Sequence, residues 1–182
     1  MMKKSNLTAD EAPGLMQVLL RSNRHRPSGE GMFTLDDVNP LRILIAVRDP
    51  YYKMLVMELL KVQPGLIVVD HAHDGLNAIE KIIEFKPHIL LVSPNLSVIN
   101  GIQIFRQVKG YPETKSIRII ANTECRAPMI AKTIIDAGAE MCLQKPIDTS
   151  ALLEAIRFQA HSFNEIQPAS ISPNDSKKRW QS

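Results

Sequence analysis

Aromatic residues are scarce in this chain: Phe, Trp and Tyr make up 5% of its 182 residues, and Trp180 is the one tryptophan. Its 45% hydrophobic content must therefore build an aliphatic core. Cysteine is scarcer still. Cys125 and Cys142 make no disulfide framework, and neither has a partner at metal-ligand spacing. A formal net charge of +3 gives no warrant for binding nucleic acid or anionic membranes. The chain has no long uncharged apolar run, which excludes a spanning helix. The opening MMKKSNLTADEAPG has lysines but no apolar stretch or small-residue cleavage site behind them, so a secretory leader is not expected. There is no glycine-rich phosphate loop, and no paired carboxylates or nucleophile–base set can be placed together. These absences lead us to expect a soluble, cytoplasmic, non-enzymatic protein with neither metal nor cofactor.

What the chain does contain is a regular alternation beginning at Leu41. RILIAV (Arg42 to Val47) reads as a strand, after which Asp49 caps a helix with Pro50 at its first position, running to about Lys61. Gly65 to Val69 reads as a second strand, Asp74-Gly75 as a turn, and Leu76 to Phe85 as a second helix with Ile79, Ile82 and Ile83 at helical spacing. Ile89 to Val92 is wholly apolar, the pattern of a strand buried on both faces of a parallel sheet. It ends in Ser93-Pro94-Asn95, and a helix starts at Gly101. Ile117 to Ala121 is a fourth strand; the helix after Pro128 ends near Gly138, a candidate left-handed cap. Met141 to Leu143 is a short fifth strand, and Asp148 caps a last helix to about Ala160.

Five strands each followed by a helix force parallel pairing and right-handed crossovers. The predicted fold is α/β, a doubly wound five-stranded parallel sheet with helices on both faces, of flavodoxin-like type. The expected organisation is an extension over 1–40, this domain over 41–161, and a disordered tail over 162–182, rich in Ser, Asn, Pro and Gln. In the extension, Leu15, Val18 and Leu19, widened by Met16 and Leu20, form one helical stripe ahead of the polar linker SNRHRPSGE. Such a short helix needs something to pack on, either its own domain or a partner.

Four segments in this order and spacing resemble the receiver domain of two-component response regulators, over about Arg42 to Arg157. They are RILIAVRDPYYK, HAHDGLNAIEKI, HILLVSPNLSVINGIQIFRQVK and AGAEMCLQKPID. The resemblance implies a pocket at the strand ends. There, two acids hold Mg²⁺, an Asp takes a phosphoryl group from a histidine kinase, and a Thr or Ser and a Lys bind the phosphoryl oxygens. Carried over residue by residue, the acids fall on Val47 and Arg48, the acceptor on Ser93, the hydroxyl on Thr123 and the lysine on Lys145. The family's switching aromatic falls on Cys142. Only Thr123 and Lys145 fit. Mg²⁺ wants hard oxygen ligands, usually with a carboxylate, and a serine hydroxyl is a weak nucleophile without a base. The expectation is a degenerate, pseudo-receiver domain that acts through protein partners, within a larger assembly or as a homodimer through the face of the fourth helix, fifth strand and fifth helix.

Several readings stay open at this stage. Arg48 can fill the metal's place and bond Ser93, turn to solvent, or share an anion with Lys145. His71 and His73 are too few for a metal site. Cys125, near Thr123, invites a redox role. Other classes of function are a transcriptional regulator component binding DNA through Lys177-Lys178-Arg179, and a small-molecule binder on a flavodoxin-like scaffold.

Overall fold

The computed structural model describes residues 40–166, the stretch 161–166 by its backbone alone. The extension with Leu15, Val18 and Leu19 lies outside the described residues, as does the Lys177–Arg179 patch. Strands β1 (Leu41–Ala46), β2 (Leu66–Ala72), β3 (Ile89–Val92), β4 (Arg118–Thr123) and β5 (Met141–Gln144) alternate with helices. These are α1 (Pro50–Lys61), α2 (Gly75–Phe85), α3 (Gly101–Gly110), α4 (Pro128–Asp136) and α5 (Thr149–Ile166). All strands pair in parallel in the order β2-β1-β3-β4-β5.

Strand alternation divides the interior into two aliphatic cores. Leu44, Ala46, Leu90, Val92, Ile119 and Ala121 pack with α2, α3 and α4, where Ile79, Ile82, Phe105, Val108 and Ile134 are buried. Ile43, Ile45, Val47, Ile89, Leu91 and Ile120 meet Val56 and Leu60 of α1 and Leu152, Ala155 and Ile156 of α5. Every residue of β3 is fully buried, which is why its sequence carries no polar residue to reveal a face. Each such aliphatic side chain contributes roughly 1.5–3 kcal/mol through burial.

Helix starts follow their caps. Asp49 Oδ1 accepts from Tyr51 N at 2.9 Å and Tyr52 N at 3.2 Å, with Pro50 in the first turn. Asn100 and Gln103 close a capping box on α3. Asp148 Oδ1 accepts from Ser150 N at 2.9 Å. Past α4, Gly138 takes a φ of +113°.

Some boundaries move from their expected places. The Asp74-Gly75 turn is a helix start: Asp74 Oδ1 accepts from Asn77 N at 2.8 Å and caps α2 from Gly75. β2 runs past Val69 to Ala72; the register slips between Ile43 and Leu44 and resumes with Leu44 opposite Asp70. An edge strand tolerates Asp70 and His71, whose polarity had ended the apolar run. β4 extends to Thr123, and β5 to Gln144. Helix α5 continues to Ile166, past the boundary expected at 161. In the sequence the first residue that breaks a helix there is Pro168.

Candidate functional site

The register lines up the carboxyl ends of the central strands. Ala46 stands opposite Val92, Val92 opposite Ala121, and Thr123 opposite Gln144. Val47, Ser93, Thr123 and Lys145 therefore meet on one edge, where a doubly wound sheet presents its crevice. Two tight approaches hold the loop between β3 and α3. A Cβ on Gly101 would lie 2.7 Å from Ser93 O, and one on Gly75 would lie 1.8 Å from Ile99 O. Inside the same loop Val98 adopts φ +67°, an uncommon conformation for a β-branched residue.

The polar groups of this edge bond to one another. Ser93 Oγ, nearly buried, donates to Asn122 O at 3.3 Å. Asn122, fully buried, donates from Nδ2 to the Tyr52 hydroxyl. Lys145 Nζ sits 4.5 Å from the Tyr52 ring centroid and 3.4 Å from Glu124 Oε1. Thr123 Oγ1 accepts from Cys125 N at 3.1 Å, and Thr123 O accepts from Lys145 N at 2.8 Å. Burial drives the Tyr52 phenol well above its ordinary range, so the hydroxyl stays protonated. The cation over the ring is worth about 0.5–2 kcal/mol, depending on desolvation. The pair with Glu124 adds little, because that carboxylate is 74% exposed.

Of the residues singled out in the sequence, Ser93, Thr123, Lys145 and Val47 come together. Val47 points into the α1/α5 core and offers no ligand. Arg48 is exposed, and among the described residues no bond from it to Ser93 is found; the serine turns instead to Asn122. Cys142 is half-buried against the other core, and burial raises its thiol. His71 and His73 pair with neighbouring carboxylates, at 3.6 Å from Asp70 and 3.1 Å from Asp74. Among the described residues no three His, Cys, Asp or Glu gather as a metal set. Sequence reasoning passed over Tyr52, Asn122 and Glu124. Asn122 was the most accessible of them, as the polar break at the end of an apolar strand.

A doubly wound parallel sheet whose β1, β3, β4 and β5 ends converge on a hydroxyl and a lysine places the chain among α/β proteins that carry their site at the carboxyl ends of the strands. The response regulator receiver domain matches residues 43–157, and the chain belongs to that family. It is 29% identical over 137 residues to the transcriptional regulatory protein DegU of Brevibacillus brevis, a match covering 73% of this chain and 56% of that one. It is 29% identical over 126 residues to the nitrate/nitrite response regulator protein NarP of Escherichia coli K12, covering 69% and 58%. The chain thus spans under two thirds of the length of these relatives. A protein-glutamate methylesterase/protein-glutamine glutaminase of Thermotoga maritima matches at 28% over 58% of this chain and 30% of its own. The response regulator domain of Thermotoga maritima CheB shares the fold, with a TM-score of 0.60 at 23% identity over 71% of this chain and 99% of that one. A LuxR-family two-component response regulator from Aurantimonas gives 0.62 at 25% identity over 67% and 86%.

The side chains here do not fit the divalent cation that such a pocket implies. Val47 is apolar, Arg48 is cationic, Oδ1 of Asp49 is taken by the α1 cap, and Ser93 offers a neutral hydroxyl where a hard cation wants a carboxylate.

Proposed function

We propose that this receiver domain is a pseudo-receiver, which signals by protein–protein contact without conventional aspartyl phosphorylation and without an enzymatic activity of its own. The observation that carries the reading is the internal closure of the pocket, from Ser93 through Asn122 and Tyr52 to Lys145. Ser93, Val47 and Arg48 are the degenerate acceptor and acid positions; Thr123 and Lys145 are retained as structural groups. Cys142, without an aromatic ring, does not act as a rotating switch. Phosphoryl transfer rests on positioning and charge neutralisation, and this edge supplies neither a metal seat nor a base beside Ser93.

Partner contact is proposed on α4, β5 and α5, where Met129, Ile130, Ile135 and Phe158 expose apolar surface. A cytoplasmic setting accords with two free cysteines. Among the described residues no helix is long and apolar enough to cross a membrane. The test is treatment with acetyl phosphate and Mg²⁺, followed by intact-mass measurement. No adduct is expected, and a stable phosphoryl group on Ser93 would overturn the reading.

A transcriptional role stands second, favoured by the name of the Brevibacillus relative. It requires duplex binding whose affinity falls steeply with salt.

A further inference from the structure

The C-terminal half of α1 and the first residues of β2 enclose an open groove of about 280 Å³, lined by Met57, Glu58, Lys61, Leu66, Ile67 and Val68. It lies at the sheet end away from the Ser93 pocket and on the edge strand opposite β5. Of its lining, Ile67 is 47% exposed, and on the same helix Met54 and Leu55, with Val62 just past its end, expose more than half of their area. Exposed apolar residues that line a groove between a helix and a sheet edge suit an amphipathic helix laid in by its hydrophobic face.

We infer that the occupant is the chain's own stripe Leu15, Val18 and Leu19, docked intramolecularly in this groove. The covalent connection supports this. β1 begins at Leu41, which pairs with Leu66 of the groove wall and donates from N to Gly65 O at 2.8 Å. The preceding chain therefore enters beside the groove, while the α4–β5–α5 face lies across the sheet. Twenty residues, Arg21 to Pro40, separate the stripe from β1, a length over which a polypeptide coil spans about 25 Å. That exceeds the roughly 14 Å radius of gyration of a domain this size. Such a tether gives an effective concentration in the millimolar range, so three small anchors suffice where a free peptide would dissociate.

The experiment uses the full chain and backbone amide NMR. Replacing Val18→Asp with Leu19→Asp is expected to shift the resonances of Met57–Lys61 and Leu66–Val68. Those of Met129–Ile135 should not respond to the substitution, and the shifts in the groove should be the same at two protein concentrations. The reciprocal Ile67→Asp, at a half-exposed edge position, should shift residues 15–20, with the unchanged α4 signals reporting that the domain is folded. Groove resonances that do not move in the Val18→Asp, Leu19→Asp protein overturn the inference. So do changes that vary with concentration, which would assign the groove to a second copy. Either failure leaves the acetyl phosphate result untouched.

Discussion

Tyr52 joins a hydrogen bond, a cation contact and a packing role in one side chain. Tyr52→Phe keeps the ring under Lys145 but strips the partner from the buried Asn122 amide. A loss of roughly 1–3 kcal/mol is expected in urea unfolding, with the Lys145 side-chain resonances little moved. His88 offers a test at the same scale. Its Nδ1 accepts from Arg42 N at 3.0 Å, which requires that nitrogen to be unprotonated. Burial first, and then the Arg42 charge, hold its pKa below the ordinary 6.5. His71 is lowered in the same sense, first by burial and then by Lys53 and Lys81. For both, the unfolded chain binds the proton more readily. Their contribution is therefore complete above about pH 6.5 and is lost as the pH falls below it. Thermal unfolding measured from pH 8 to pH 5 should show that decline, and His88→Gln should flatten part of it.

At the scale of elements, the loop from Ser93 to Asn100 is held by close backbone approaches more than by side chains. Gly75 N donates to Ser97 O at 3.0 Å, and Gly101 N to Pro94 O at 2.9 Å. Gly75→Ala would drive a methyl group into Ile99 O and must displace either the loop or the start of α2. We expect a cost of at least about 1–3 kcal/mol by overpacking, read as a lower denaturation midpoint with an unchanged slope. Most elements were legible in the sequence, because aliphatic strands and capped helices carry their own periodicity; Asp49 and Asp148 marked their helix starts directly. The outer half of β2 was hidden, since an edge strand has one face free to be polar and its bulge leaves no local signature. Of the site, the end of β3 placed Ser93, and the resemblance to receiver domains placed Thr123 and Lys145. Tyr52 was not legible: which side of α1 faces the pocket depends on how the helix docks on the sheet, and a single segment does not encode that.

For the whole molecule, the two sheet edges have different work in this reading, self-association or partner binding beside β5 and intramolecular docking beside β2. Sedimentation velocity is expected to show a concentration-dependent shift toward dimer, which Met129→Glu with Phe158→Glu should abolish; both side chains are mostly exposed, so folding should persist. The strand order also bears on how the chain comes to be folded at all. β3 inserts beside β1 rather than β2, with Ile43 opposite Ile89, so the centre of the sheet closes only after α1, β2 and α2 have been made. During synthesis the first β–α–β unit must wait with its inner edge unpaired, exposed to chaperones or to another nascent chain. The wholly apolar β3 is then the strand that pairs on both sides, with β1 and with β4, and substitutions there should slow folding more than they hasten unfolding.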